Sequence, residues 1–131
     1  MMNRKELKQY IQNTFNVNPD YPWVKQPDNE VFRHNSNKKW FALIMNVEKS
    51  KLGFLEEGML EVVNLKCDAT LSGSLHNKNG IFPGYHMNKS SWITVALDGS
   101  VDEETIKMLV DLSYEATFKN GKKNYLKIED I

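Results

Sequence analysis

The segment Phe82–Trp92, which reads FPGYHMNKSSW, concentrates side chains that could contact a ligand. It combines aromatic rings such as Tyr85 with the imidazole of His86, the amide of Asn88 and the ammonium of Lys89. Such rings stack on bases or sugars, while the polar groups donate to phosphate or carboxylate oxygens. The same residues also suit a strand–turn–strand in which the aromatics join the core and the polar groups satisfy the turn backbone. Residue types alone favour this structural interpretation and leave the binding hypothesis open.

Cys67 is a second candidate, because a thiolate beside a histidine can act as a nucleophile. The histidines available for such a pairing are His34, His76 and His86. The simpler interpretation is a small apolar residue at the end of a strand, since free cysteines are among the most buried residue types. The cysteine, the histidines and the acids show no recognisable metal-ligand spacing. We therefore predict neither a metal site nor a cofactor.

Signature motifs of several common enzyme classes are missing from the sequence. It contains no GxxxxGK[ST], GxGxxG, HExxH or CxxC pattern, and no GxSxG nucleophile elbow. We can assign no complete set of nucleophile, acid and base. We therefore expect a protein that is not an enzyme.

Charge is unevenly distributed along a chain whose formal net charge is zero. Between Phe32 and Lys51 five basic residues face one acid, whereas between Asp98 and Phe118 six acids face one lysine. Arg33, Lys38 and Lys39 fall in a predicted β-hairpin that could contact a phosphate backbone as a wing. The ordinary alternative is a solvated sheet edge kept soluble by its lysines.

Size and composition predict one domain that covers residues 1–131. A length of 131 residues with 40% hydrophobic side chains is typical of a single globular domain with its own core. No apolar run approaches the roughly 18 residues that span a membrane, so we expect no membrane contact. One cysteine cannot form an internal disulfide, which suits a reducing compartment. The cytoplasm is the expected location.

The elements that must position these residues follow from hydrophobic periodicity, caps and turns. The predicted strands are Glu30–His34, Lys39–Val47, Met59–Lys66, Ile81–Tyr85 and Trp92–Leu97. The predicted helices are Arg4–Phe15, Ala69–His76 and a long helix that begins at a capping box formed by Ser100 and Glu103. Residues 122–131 could add an edge strand or form a loose tail. This order predicts the α+β class, with an antiparallel sheet and helices packed on one side.

Several short motifs together resemble the MmcQ/YjbR family, small bacterial proteins described as DNA-binding-like. They are Lys66-Cys67-Asp68, the run PGYHMNK over residues 83–89, Trp92, Leu97-Asp98-Gly99 and Ser113-Tyr114. The resemblance extends over most of the chain. It implies a fold similar to the CyaY/frataxin-like α+β sandwich.

The resemblance also implies DNA binding through paired wing-like hairpins, and the zero net charge of the chain predicts that this binding is weak and salt-dependent. The family's signature residues match Tyr85, His86, Met87, Asn88, Lys89 and Trp92. Where the family commonly has a basic residue and a histidine before the tryptophan, this chain has Ser90 and Ser91. The alternative from the residues is a small-ligand or protein-interaction domain with a pocket around Tyr85, His86 and Trp92.

Overall fold

The computed structural model describes residues 1–75 and 78–118, which form an antiparallel sheet with helices on one face. The strands are β1 (Glu30–Arg33), β2 (Trp40–Glu48), β3 (Met59–Lys66), β4 (Ile81–Pro83) and β5 (Trp92–Ala96). The helices are α1 (Arg4–Phe15), α2 (Ala69–Leu75) and α3 (Glu103–Phe118). The strand order is β1-β2-β3-β5-β4, and each neighbouring pair is antiparallel. This confirms the predicted α+β class, while likeness to the CyaY fold stays a prediction.

The helix-covered face of the sheet holds the larger core. Helix α1 starts at the predicted capping box: the Asn3 side chain accepts from the Glu6 backbone, and the Glu6 carboxylate accepts from the Asn3 backbone. Leu7 and Ile11, one helical turn apart, are fully buried against this face. Within the described ranges no helix is both long and apolar enough to cross a membrane.

Helix α3 packs on the central strands β2 and β3 through Ile106, Leu109 and Val110. Its N-cap differs from the predicted one. The Asp102 carboxylate accepts from the Thr105 backbone, which makes Asp102 the cap. Ser100 instead donates to the Asp98 side chain, because this segment forms a tight turn before the helix begins.

Within the described residues the opposite face of the sheet carries no α-helix and is covered by loop residues and the short 3-10 helix Lys49–Leu52. Its buried residues include Leu43, Met45 and Val62, and they form a second apolar cluster. Side chains such as Trp23 and Tyr85 pack over this cluster and are only partly buried. Because these side chains do not cover the face completely, a cleft remains between them, and the candidate site is this cleft.

The segment after β4 departs from prediction. The predicted strand Ile81–Tyr85 is too long, since β4 ends at Pro83. The Gly84 N–H still donates to the Trp92 carbonyl at 3.0 Å, but the Tyr85 N–H donates to the Thr94 side chain and leaves the backbone ladder. The other predicted strand ends agree within one residue. The end of the second predicted helix at His76 and the predicted tail 122–131 lie outside the described residues.

Candidate functional site

A cleft of about 400 Å³ opens on the loop-covered face, and we call it the aromatic cleft. Its aromatic lining residues are Trp23, Trp40, Tyr85 and His86. The apolar lining residues are Leu43, Met45 and Met87, and the amide-bearing ones are Gln26, Asn29 and Asn46. Among the described residues, the lining includes no Asp, Glu, Lys or Arg. Clefts of this size and composition bind small organic ligands in many proteins.

The two tryptophans come from different parts of the chain. Trp23 lies in the loop before β1, and Trp40 is the first residue of β2. Their ring centroids are 5.6 Å apart with an interplanar angle of 89°, an edge-to-face pair. The guanidinium carbon of Arg33 lies 5.6 Å from the Trp40 ring centroid and holds that ring from β1. The tryptophan wall of the aromatic cleft is therefore fixed before any ligand enters.

Tyr85 is fixed by a buried polar network on the sheet. The Thr94 hydroxyl accepts from the Tyr85 N–H at 2.8 Å and donates to the Asn64 side-chain carbonyl at 2.5 Å. The Asn64 amide in turn donates to the Tyr85 carbonyl at 3.0 Å. Asn64 and Thr94 are both fully buried, so each depends on this exchange to satisfy its polar atoms. The network ties the backbone of Tyr85 to β3 and β5.

The turn that follows is shaped by its own hydrogen bonds. His86 has a φ of 59°, a left-handed conformation that costs a non-glycine residue roughly 1 kcal/mol. The Lys89 ammonium donates to the Gly84 carbonyl at 2.8 Å, and the side-chain Oδ1 of Asn88 accepts from the Ser90 N–H and hydroxyl. His86 and Asn88 are exposed, and Tyr85 and Met87 are half-buried. The PGYHMNK motif therefore builds a turn, and only Tyr85, His86 and Met87 line the cleft.

The predicted basic hairpin does not act as one surface. Arg33 is engaged on the loop-covered face, with an ion pair of 2.7 Å to Asp20 as well as the Trp40 contact. The Lys39 carbonyl accepts from the His34 N–H, and the Lys39 charge contributes to lowering the pKa of His34, which lies under α3. Lys38 sits at the turn with a φ of 65° and is exposed. The three cations thus divide between the two sides of the sheet.

Trp92 and Cys67 lie apart from the aromatic cleft. Trp92 is buried at the start of β5, and the Lys66 ammonium is 5.5 Å from its ring centroid. Cys67 is buried in the helix-side core, and burial raises the pKa of its thiol, which keeps the weakly nucleophilic protonated form. Over residues 1–75 and 78–118, no three His, Cys, Asp or Glu side chains form a group that could hold a metal ion.

Sequence reasoning missed the two residues that organise the site from below. Asn64 and Thr94 stand between apolar neighbours on β3 and β5, and neither residue belongs to a motif that would mark it as part of a site. The available clue is the amide of Asn64 between the apolar residues Val63 and Leu65, because a polar group in such a place needs a partner. Trp23 was also missed, since it sits in a proline-containing connection without a periodic pattern.

A family model described as YjbR matches residues 4–116. The chain belongs to the YjbR family. Among YjbR relatives, the Bacillus subtilis protein YyaQ is 40% identical over 117 residues, which are 89% of this chain and 99% of YyaQ. The Escherichia coli protein YjbR is 34% identical over 94 residues, which are 70% of this chain and 77% of that protein.

Two solved structures resemble this YjbR domain. A crystal structure of a Pseudomonas syringae protein matches with a TM-score of 0.87 and 43% identity, covering 88% of this chain and 99% of that one. A crystal structure of a Deinococcus radiodurans protein matches with a TM-score of 0.70 and 25% identity, covering 95% and 84%. The stretch matched by the YjbR model runs from α1 into α3 and includes every residue that lines the aromatic cleft.

Proposed function

We propose that this YjbR domain is a non-enzymatic binding module that holds a small aromatic ligand in the aromatic cleft. The observation that carries the proposal is the set of four aromatic side chains around one cleft, with Tyr85 fixed to the sheet by Asn64 and Thr94. A preorganised aromatic wall lowers the entropy lost on binding. A cytoplasmic location, supported by the single cysteine, is part of the proposal.

The chemistry of the lining supports binding rather than catalysis. His86 and Tyr85 are the titratable side chains of the aromatic cleft, and neither has a carboxylate or cation beside it among the lining residues. General acid–base catalysis needs a positioned partner that holds the proton-transferring group, and nucleophilic catalysis needs an activated nucleophile. The aromatic cleft supplies surfaces on which a ring can stack and edges to which it can hydrogen-bond.

The test is a titration of the intact protein with a panel of small aromatic compounds, in which binding is detected by intrinsic tryptophan fluorescence and by calorimetry. Two of the three tryptophans line the cleft, so binding should change the emission directly. Trp23→Leu should weaken any ligand found by roughly fivefold to over a hundredfold, because stacking on an aromatic side chain contributes about 1–3 kcal/mol.

Met87 and Met108 provide a matched pair for this test. Met87 lines the aromatic cleft, whereas Met108 is half-exposed on α3, on the other side of the sheet. Met87→Ala should weaken the ligand and Met108→Ala should leave its affinity unchanged. Equal effects of the two changes, or no ligand at all in the panel, would count against the proposal.

DNA binding is the second candidate, and its support is narrower. Lys38 and Lys39 are exposed, and neither forms an ion pair with an acid among the described residues. Two phosphate contacts predict a slope of about −1.8 in a plot of log affinity against log salt concentration. The affinity should therefore fall roughly tenfold between about 50 and 200 mM salt. Arg33 already has an internal ion pair with Asp20, which limits the contact to this weak range.

Fluorescence anisotropy with a duplex oligonucleotide at low salt tests the DNA candidate. The change Lys38→Gln with Lys39→Gln should abolish the salt-dependent signal. The control is Lys5→Gln with Lys51→Gln, which removes two exposed lysines elsewhere and the same total charge. Equal losses in both double variants would show general charge attraction instead of a site at this turn.

A further inference from the structure

We infer that the ligand of the aromatic cleft is a nucleobase or a base-like heterocycle, a neutral planar ring with hydrogen-bond donors and acceptors on one edge. The inference rests on the proposed ligand-binding function of the cleft and adds the chemical class of its occupant. It follows from the charge of the lining, from the amide groups at the cleft and from the lysines next to it in the chain.

The charge of the lining selects a neutral ring. An ionised group that enters the aromatic cleft gives up hydration, and no Asp, Glu, Lys or Arg stands among the described lining residues to replace it. An aromatic cleft can also bind a cation through its ring faces. Here Arg33, paired with Asp20, already occupies the cation position over the Trp40 ring, so that ring face is not free for a cationic ligand. A neutral aromatic ring meets neither cost.

The amide groups select a ring with a polar edge. Gln26 and Asn29 line the aromatic cleft, and neither side chain has a hydrogen-bond partner within residues 1–75 and 78–118. A side-chain amide presents a donor and an acceptor side by side, and this pattern is the one that pairs with the edge of a base. A plain hydrocarbon ring would offer these amides no hydrogen-bond partner.

Exposed lysines next to the lining could receive a phosphate attached to the base. Lys25 directly precedes Gln26 and has no partner among the described residues. Lys89 lies three residues after His86, and its ammonium uses one of three donors on the Gly84 carbonyl. The base could therefore belong to a free nucleotide or to an unpaired position in a single strand. These two sources share the same ring chemistry.

The experiment compares ligands that differ only in the ring. The four ribonucleosides and a nucleoside analogue with phenyl in place of the base are titrated into the intact protein by tryptophan fluorescence. At least one ribonucleoside should bind tenfold or more tightly than the phenyl analogue. Gln26→Leu with Asn29→Leu should remove that difference, while Gln9→Leu, on the exposed side of α1, should preserve it.

A second comparison separates the two sources of the base. The corresponding 5′-monophosphate, a single-stranded homo-oligonucleotide of the best base and an abasic oligonucleotide of equal length are titrated in the same way. Tighter binding of the monophosphate identifies a nucleotide, and tighter binding of the oligonucleotide identifies a single strand. Equal binding of the abasic strand would overturn the inference, because phosphates alone would then carry the affinity.

The outcomes separate this inference from the proposed function. If the phenyl analogue binds as tightly as every ribonucleoside, the heterocycle inference is wrong and the aromatic cleft is still a ligand site. If neither the nucleosides nor the phenyl analogue nor the wider aromatic panel binds, the proposed function fails together with the inference.

Discussion

Thr94→Val tests the network that holds Tyr85 against the sheet. Valine has nearly the shape of threonine, so the change removes the hydroxyl and keeps the packing. The lost hydroxyl leaves the Tyr85 N–H without its acceptor and the buried Asn64 carbonyl oxygen without its donor. Thr94 and Asn64 have no exposed surface, so water cannot replace the lost partners without disturbing the sheet.

The expected cost follows from these two unsatisfied groups. Each buried polar group left without a partner costs about 1–3 kcal/mol, and the added methyl recovers part of that through burial. We expect Thr94→Val to lower the free energy of unfolding by about 2–4 kcal/mol, which in a domain of this size lowers the melting temperature on the order of 10 °C. The looser Tyr85 should also weaken any ligand of the aromatic cleft.

Urea unfolding followed by tryptophan fluorescence measures this cost, with Thr70→Val as the control at an exposed threonine of α2. The control should change stability by less than about 0.5 kcal/mol. The double variant Asn64→Leu with Thr94→Val should lose less than the sum of the single changes, because the two residues depend on each other. Thr94→Val as stable as the unmodified protein, or strictly additive losses, would refute the network.

Three further changes probe the turn, helix α2 and the helix-side core. Gly84→Ala should destabilise the domain by about 1–3 kcal/mol in urea unfolding, because its new Cβ would lie 2.9 Å from the Trp92 carbonyl oxygen. Gly73→Ala in α2 meets no atom within 4 Å and should instead stabilise by about 0.5–1 kcal/mol; the opposite ranking would contradict the turn geometry. Burial, reinforced by the charge of Lys39, lowers the pKa of His34 below 6.5. The contribution of His34 to the free energy of unfolding is therefore fully present above pH 6.5. It is lost as the pH falls, because His34 takes up a proton at a higher pH in the unfolded chain than in the folded protein. Unfolding curves between pH 5 and 7 should show this slope in the unmodified protein, and His34→Gln should flatten it.

The helices and strands could be predicted because their signals are local. The capping box at Asn3 and the apolar stripe of α1 define that helix without help from the rest of the chain. Helix α3 is confirmed, but its predicted cap Ser100 lies two residues before the actual cap Asp102. A capping box and an Asp cap give nearly the same sequence signal, and only the backbone path of the preceding turn distinguishes them.

The candidate site was only partly predictable, since it is assembled from distant segments. Tyr85 and His86 were identified from one dense motif, and both line the aromatic cleft. Trp92 from the same motif is buried, and Trp23 comes from a loop about 60 residues earlier. The split of Arg33 and Lys39 between the two sides of the sheet follows from strand pairing, which charge counting along the chain does not include.

The most direct measurement of the central claim is a two-dimensional NMR titration that follows the three tryptophan indole N–H signals. Trp23 and Trp40 line the aromatic cleft, whereas Trp92 is buried outside it and serves as an internal control. Titration with a ligand from the aromatic panel should shift the Trp23 and Trp40 signals in a saturable way and leave that of Trp92 nearly unchanged. A bound ligand that leaves Trp23 and Trp40 unshifted would contradict the assignment of the aromatic cleft as the binding site.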